Sequence, residues 1–261
     1  MSEPRLLVET RGHVRVLTIS NPGKRNAVHP SILLDMAKRF REFNEEGVRC
    51  IVLRGEGEAM FSSGYDIGEI PEAQGSTQKY VASNPLIIAL EALDNLRPPI
   101  IAFMNGDAFG AGLEIAASSD IRIAREGIKM GMPPAKLGII YSHTGLQKFI
   151  DLIGIGFAKE LFFTGRHVDA ARAKEIGLLS HVLPAAEAER FALEMAEEIA
   201  ANAPLAVQGH RQLFQMLTNK KLPVQQYQEI VALRAMAFAS EDAKEGKRAF
   251  MERRKPVFKG S

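Results

Sequence analysis

The chain has 261 residues, 46% of them hydrophobic, and a formal net charge of +2, with 33 Lys and Arg against 31 Asp and Glu. This length can bury a sizeable core, and the balanced charge gives no reason to expect a nucleic-acid partner. The single cysteine, Cys50, permits no internal disulfide, which fits a reducing compartment. No signal peptide is recognisable, and no apolar run reaches the roughly 18 residues of a transmembrane helix. We therefore expect a cytoplasmic protein without a membrane segment.

Strand-like and helix-like periodicities alternate through the first half of the chain. Short apolar, β-branched runs predict strands, and apolar residues recurring every three or four positions predict helices. The predicted strands cover 14–19, 50–53, 100–104 and 121–124, and the predicted helices cover 31–45, 86–96 and 113–119. This alternation predicts an α/β fold with largely buried strands.

Beyond about residue 145 the pattern is helical. Gly154 and Gly156 interrupt one segment, and Asp169 is placed to cap the next helix. The later predicted helices cover 170–176, 185–201 and a long stretch from Pro204 onward.

Neither a low-complexity linker nor an internal repeat separates the two halves of the chain. We expect residues 1–195 to form the core that carries the site. Residues 196–261 are expected to form a C-terminal helical region that packs on this core and on a neighbouring subunit.

Two glycine-rich turns are the strongest indication of chemistry. They are Phe-Ser-Ser-Gly-Tyr-Asp-Ile at 61–67 and Gly-Asp-Ala-Phe-Gly-Ala-Gly-Leu-Glu at 106–114. Each follows a strand-like run and precedes helical residues, so each can direct a backbone N–H group at one carbonyl oxygen. Two such groups stabilise the charge of an oxyanion. Taken alone, either turn could equally well be an ordinary strand-to-helix connection without a role in chemistry.

Two polar side chains near these turns could transfer protons. Glu114 is flanked by apolar residues, so its pKa should be raised unless it has a partner; it could instead be a buried carboxylate held by a backbone donor. Tyr141 could donate a proton or a hydrogen bond, or could simply pack half-buried. The adjacent Ser142 and His143 do not make a catalytic triad, since no G-x-S-x-G elbow is present.

The remaining charged and histidine residues give weaker signals. The six histidines are scattered without the spacing of metal ligands, so we expect no metal site. The basic run at 253–255 is typical of a solvated tail, although it could also hold phosphates.

Taken together, these segments resemble the crotonase (enoyl-CoA hydratase/isomerase) superfamily over essentially the whole chain. Further matching segments are Asn-Pro-Gly-Lys-Arg-Asn-Ala at 21–27, Ser-Asp-Ile-Arg-Ile-Ala at 119–124 and Gly-Arg-His-Val-Asp-Ala at 165–170. The resemblance implies a spiral of ββα units with a helical C-terminal trimerisation region, and hence a homotrimer or homohexamer. It also implies an acyl-CoA substrate, with coenzyme A as part of that substrate and no separate cofactor.

The same resemblance assigns roles to residues of both turns. It implies that the backbone N–H groups of Tyr65 and Ala111 form the oxyanion hole. The residues that it implies in coenzyme A binding are Lys24, Arg25, Ser63, Gly64, Asp66, Ile67, Gly110 and Arg253.

The chain departs from the hydratases of this superfamily at one carboxylate. Those enzymes hold a water molecule between two glutamates; Glu114 matches the first, but Pro134 replaces the second. Because proline cannot accept a proton, the two-carboxylate hydration mechanism is incomplete.

Tyr141 stands where the hydratases have proline, and a tyrosine there is a feature of the methylmalonyl-CoA decarboxylases. Those enzymes have histidine at the position of Tyr65, a change that a backbone N–H contact tolerates.

The leading hypothesis is therefore decarboxylation of methylmalonyl-CoA or a similar malonyl-type thioester. Losing CO₂ leaves an enolate, whose charge the two backbone N–H groups would stabilise. An apolar pocket of Pro134, Ile139 and Ile140 would desolvate the carboxylate, and Tyr141 would orient it or protonate the enolate. In this interpretation Glu114 is structural or orienting.

Two alternatives stay open. An enoyl-CoA isomerase or atypical hydratase could use Glu114 as its single acid/base, because moving a proton between carbons needs only one such group. A non-catalytic acyl-CoA-binding or RNA-binding scaffold is disfavoured, because the balanced charge offers no coherent basic face.

Overall fold

Residues 3–69, 84–218 and 224–259 are described by the structure, a computed structural model of the chain. The strands are β1 (Arg5–Arg11), β2 (Val14–Ser20), β3 (Cys50–Gly55), β4 (Met60–Ser62), β5 (Ile100–Met104), β6 (Asp107–Phe109), β7 (Ile121–Arg125), β8 (Lys129–Gly131), β9 (Val168–Asp169) and β10 (His181–Leu183). The α-helices are α1 (Pro30–Phe43), α2 (Pro85–Asp94), α3 (Ala111–Ser118), α4 (His143–Thr164), α5 (Ala170–Glu175), α6 (Ala185–Ala201), α7 (Pro204–Thr218), α8 (Val224–Ala239) and α9 (Glu241–Met251). Short 3-10 helices cover Pro22–Lys24, Ile67–Glu69 and Pro134–Leu137.

The strands form two sheets. The main sheet has the order β1-β2-β3-β5-β7-β10; β1 and β2 are antiparallel and the other neighbours are parallel. The second sheet has the order β4-β6-β8-β9 and is parallel except at β8 and β9. The strand pairs β3–β4, β5–β6 and β7–β8 are each followed by a helix. This repetition is the ββα unit that the resemblance implies, and it confirms the predicted α/β class.

Glycine allows the strands of the two sheets to follow one another closely. A Cβ atom on Gly55 would lie 2.4 Å from the backbone oxygen of Met60, and one on Gly106 would lie 2.3 Å from the Met60 nitrogen. Any side chain at these two positions would push β4 away from the main sheet. The second sheet, which carries the glycine-rich turns, is thereby held against the core.

Helix α6 covers the other face of the main sheet through a stripe of alanines. Ala188, Ala192, Ala196 and Ala200 recur every fourth residue and are all buried. They pack with buried side chains of the central strands, among them Val16, Val52, Ile101, Phe103 and Ile123. The predicted boundary at residue 195 falls inside this helix, and the division into two regions stays a prediction.

Buried polar contacts attach the C-terminal helices to the core. Arg211 on α7 is 5% exposed, and its Nε donates to Asp120 Oδ2 at 2.8 Å. Its two Nη atoms donate to the backbone oxygens of Leu96 and Leu93 at the end of α2. On α9, a Cβ atom at Gly246 would lie 2.6 Å from the backbone of Leu137, so this helix lies directly on the 3-10 helix Pro134–Leu137.

Helix α7 also presents an apolar face that is exposed in the single chain. Its members are Leu205, Leu213, Phe214, Met216 and Leu217, which are between 57% and 87% exposed. None of the described helices is long and apolar enough to cross a membrane.

Most of the predicted elements are confirmed, with short strands added. The strand 100–104 and the helix 185–201 have the predicted bounds, and Asp169 caps α5 by accepting from the Arg172 N–H at 2.8 Å. Gly154 interrupts α4 with φ 71° and ψ 161°. The sequence patterns missed β1, β4, β6, β8, β9 and β10. All but β1 are only two or three residues long, too short for a recognisable period.

Candidate active site

The two glycine-rich turns meet at the ends of neighbouring strands, β4 and β6. Gly64 has φ 104°, and a Cβ atom there would lie 3.0 Å from the backbone oxygen of Phe109 and 3.6 Å from the nitrogen of Ala111. A Cβ atom on Gly112 would lie 2.4 Å from that of Ser62. Only glycine permits these approaches, and they bring Tyr65 and Ala111 to one place.

The backbone at both positions is compatible with an N–H group that donates to a bound oxygen. Val28 donates to the Gly64 oxygen at 2.8 Å and accepts from the Asp66 N–H at 3.3 Å, which leaves the N–H of Tyr65 facing away from Val28. Ala111 is the first residue of α3, where N–H groups lack acceptors within the helix and the helix dipole favours negative charge. An oxygen bound here could accept hydrogen bonds from both groups.

A cavity of about 790 Å³ opens in front of these turns, a size that suits a small-molecule site. The predicted site residues that line it are Arg25, Ser63, Gly64, Tyr65, Gly110, Ala111, Glu114 and Tyr141. Pro134, Ile139 and Ile140, expected to form an apolar pocket, line it as well.

In the wall of this cavity, buried Glu114 pairs with half-buried Tyr141. The Tyr141 hydroxyl donates to Glu114 Oε2 at 2.5 Å, and Glu114 is 2% exposed. Burial raises the pKa of Glu114 to about 7, while the bond from Tyr141 acts in the opposite direction. Burial and the carboxylate of Glu114 hold the pKa of Tyr141 well above its usual value. Glu114 can therefore exist in both protonation states near neutral pH.

Gly145 on α4 makes room for this pair. A Cβ atom there would lie 2.5 Å from Glu114 Oε1 and 2.6 Å from Tyr141 Cε1. Ser142 caps the same helix, since its Oγ accepts from the Gly145 N–H at 3.0 Å. The ring of His143 packs edge-on against Tyr227, at 5.5 Å between centroids. This segment therefore positions Tyr141 and has no serine nucleophile paired with a histidine.

Two of the predicted residues, Lys24 and Asp66, lie beside the cavity and are not among the described residues that line it. Lys24 pairs with the buried Asp66 at 2.7 Å, and the N–H of Ser63 donates to the Arg25 oxygen at 3.2 Å. These contacts fix the segment 21–27 against the first turn. Ile67 begins the short 3-10 helix that follows this turn.

Arg253 is another predicted site residue that does not line the cavity. It follows α9 with φ 54° and is exposed, whereas the next residue, Arg254, lines the cavity. Arg254 forms an ion pair with Glu245 at 2.5 Å. One residue of the basic run at 253–255 is therefore paired within the protein. A role of Arg253 toward phosphates stays a prediction.

The cavity wall contains cationic and titratable residues that the sequence analysis did not identify, among them Lys148, His167 and Arg234. Lys148 pairs with Asp94 at 2.5 Å, and the ring of His167 packs against Phe109 at 4.5 Å between centroids, tilted by 42°. Arg234 on α8 donates from Nε to the backbone oxygen of Ile140 at 3.4 Å. All three line the cavity, but they come from separate elements, so no sequence motif could have grouped them. Across the described ranges, no three His, Cys, Asp or Glu side chains are grouped as ligands for a metal ion.

Known proteins resemble this chain in sequence and in fold. The family model described as enoyl-CoA hydratase/isomerase matches residues 9–261. The enoyl-CoA hydratase EchA19 of Mycobacterium tuberculosis is 36% identical, over 98% of this chain and 97% of its own. The methylmalonyl-CoA decarboxylase of Escherichia coli is 32% identical over the whole of both chains. A solved structure of methylmalonyl-CoA decarboxylase complexed with 2S-carboxypropyl-CoA is 31% identical and superimposes with a TM-score of 0.92 over 100% of each chain.

Proposed function

Since the chain belongs to the enoyl-CoA hydratase/isomerase family of acyl-CoA enzymes, we propose that it decarboxylates methylmalonyl-CoA or a similar malonyl-type thioester. The observation that carries this proposal is the pairing of Tyr141 with Glu114 in a cavity wall where Pro134 replaces a second carboxylate. Similarity to a methylmalonyl-CoA decarboxylase in sequence and structure supports it.

The proposed reaction begins with loss of CO₂. The bond between Cα and the carboxylate carbon breaks, and its electron pair forms the thioester enolate. The N–H groups of Tyr65 and Ala111 stabilise the charge on the enolate oxygen. The carboxylate of the substrate loses hydration beside the apolar residues Ile139, Ile140 and Pro134. This desolvation costs free energy, and the cost is relieved as neutral CO₂ forms. No base is required for this step.

A proton must then reach Cα of the enolate. Tyr141 supplies it directly or through a water molecule, and solvent then returns a proton to Tyr141. Glu114 holds the Tyr141 hydroxyl in place through their hydrogen bond. Protonated Glu114 is neutral, so it does not repel the carboxylate of the substrate. This is the structural or orienting role expected from the sequence.

A second candidate is a double-bond isomerase or atypical hydratase that uses Glu114 as its only base. The observation in its favour is the pKa of Glu114, raised to about 7, which suits proton abstraction near neutral pH. Relatives named as hydratases point the same way.

Mass spectrometry of a small acyl-CoA panel tests the two candidates. The panel contains methylmalonyl-CoA, ethylmalonyl-CoA, crotonyl-CoA and a 3-enoyl-CoA. We expect CO₂ release and propionyl-CoA formation from methylmalonyl-CoA without added metal or biotin. Ready turnover of crotonyl-CoA with methylmalonyl-CoA left untouched would refute the decarboxylase proposal.

The variant Tyr141→Phe tests the proton donor. It removes the hydroxyl but keeps the ring that packs on Phe162 at 5.4 Å. We expect kcat to fall by about 10²-fold, the usual contribution of a positioned acid, with unchanged affinity for a thioether analogue of the substrate. An unchanged kcat would assign protonation to another group.

We also propose that the protein assembles as a homotrimer or a homohexamer in the cytoplasm. The exposed apolar face of α7 supports assembly, because faces of this kind are typical of protein–protein contacts. Coenzyme A enters as part of the substrate, and the proposed chemistry requires no other cofactor.

A further inference from the structure

Arg234 enters the cavity wall from α8, next to the paired Tyr141 and Glu114. Its Nε donates to the oxygen of Ile140, the residue before Tyr141, and both Arg234 and Ile140 line the cavity. The charge of Arg234 also acts on the ionisation of Glu114, Tyr141 and His143. The guanidinium is therefore close to the reacting end of the cavity.

Three other cations of the cavity wall have anionic or carbonyl partners. Lys148 is bound to Asp94, Arg254 to Glu245, and Lys136 donates to the Gly165 oxygen at 2.6 Å. Among residues 3–69, 84–218 and 224–259, the structure places no carboxylate within ion-pair distance of Arg234. Among the described residues, the guanidinium of Arg234 donates to one carbonyl oxygen and to no carboxylate, so it retains N–H donors for an anion.

The substrate carries one anionic group beyond the phosphates of coenzyme A, namely the free carboxylate of the malonyl-type acyl group. Arginine presents planar N–H donors that match the two oxygens of a carboxylate. We propose that Arg234 binds this carboxylate, so that the site selects carboxyacyl-CoA thioesters over neutral acyl-CoA thioesters. The identity of the carboxylate rests on the proposed decarboxylase function.

Loss of this binding should raise KM without lowering kcat. The ion pair forms with the intact carboxylate and weakens as its charge moves to the enolate. An interaction that is stronger in the ground state than in the transition state lowers KM without raising the rate of the chemical step. For Arg234→Met we therefore expect KM for methylmalonyl-CoA to rise by about tenfold or more, with kcat unchanged or increased.

Calorimetric binding of two unreactive thioethers isolates the effect. The probes are 2-carboxypropyl-CoA and propyl-CoA, which differ only in the carboxylate. We expect the native protein to prefer the carboxylated probe by about tenfold or more, and Arg234→Met to lose this preference while binding propyl-CoA normally. Arg234→Lys should retain part of the preference. Arg190→Met, on the outer surface of α6 and paired with Glu194, is the matched control and should behave as the native protein.

Two results would overturn the inference. One is an unchanged preference in Arg234→Met; the other is an equal loss of affinity for both probes, which assigns Arg234 a purely structural role. The binding measurement needs no turnover, so it separates this inference from the proposed function. If the native protein does not decarboxylate methylmalonyl-CoA, but Arg234→Met still loses the preference for the carboxylated probe, only the proposed reaction is refuted.

Discussion

At the scale of single residues, the hydrogen bond between Tyr141 and Glu114 determines what the site can do. In both proposed reactions the two turns would stabilise an enolate, which is common to decarboxylation and isomerisation. The protonation state of Glu114 distinguishes the reactions: the proposed decarboxylase needs it protonated, whereas an isomerase needs it ionised. Because burial raises its pKa to about 7, both forms are accessible, and pH becomes a diagnostic variable.

The pH dependence of kcat/KM should therefore have opposite signs for the two reactions. Glu114 is protonated below its pKa, so decarboxylation should be fastest below pH of about 7 and decline above it. Isomerase activity should instead increase as pH rises through the same value. The measurement is a pH–rate profile for methylmalonyl-CoA and for a 3-enoyl-CoA.

Glu114→Gln is the companion variant, since its amide oxygen can still accept from Tyr141. If the protein is a decarboxylase, the variant should keep its activity within about tenfold of the native value, and its rate should no longer change with pH near 7. If the protein is an isomerase, the activity of the variant should fall by about 10²-fold to 10⁴-fold. Abolition of decarboxylation in this variant would show that Glu114 itself is required for proton transfer.

At the scale of elements, α9 and the segment after it form part of the cavity wall. Gly246 lets the helix lie on the 3-10 helix Pro134–Leu137, and Phe250 and Arg254 reach the cavity from it. Glu245 accepts from Arg248, Arg254 and the N–H of Val257, which together hold its pKa well below the usual range. The contacts of Glu245 therefore stabilise the folded protein at pH values above the ordinary pKa of a carboxyl group. This stabilisation is lost as the pH falls and Glu245 becomes protonated.

Gly246→Ala should therefore impair both stability and substrate binding. The added Cβ atom would meet the Leu137 backbone at 2.6 Å, and overpacking of this kind costs about 1–3 kcal/mol. We expect a lower free energy of unfolding in a denaturant titration and a higher KM.

Gly156→Ala on α4 is the control, because nothing lies within 4 Å of its added Cβ atom. It should stabilise the helix by about 0.5–1 kcal/mol, as alanine does relative to glycine. Equal effects of the two substitutions would exclude close packing of α9 as the cause.

At the scale of the whole molecule, the exposed face of α7 predicts assembly. Sedimentation should give a mass three or six times that of the chain. Leu217→Asp, at a position 80% exposed in the single chain, should lower that mass. Leu34→Asp on α1, where the leucine is 47% exposed, is the control and should leave it unchanged. A native protein that sediments as a monomer would contradict the prediction.

The sequence predicted the features that depend on local pattern. The long strands and helices, the Asp169 cap and the approach of the two turns all follow from periodicity, capping residues and glycine. The short strands of the second sheet depend on pairing between distant segments, which no local pattern reveals. For the same reason, Tyr141 and Glu114 could be proposed one by one, but their shared hydrogen bond and the neighbouring Arg234 required the fold.

The contacts of Arg211 have a consequence for enzyme assays. Arg211 joins α7, with its exposed apolar face, to the end of α2, whose Leu86, Leu90 and Asp94 line the cavity. Dissociation of the proposed assembly would therefore loosen a wall of the active site. Specific activity should fall when the enzyme is diluted below the concentration at which subunits associate, and it should recover on reconcentration. Initial rates measured at a single low enzyme concentration would then underestimate kcat.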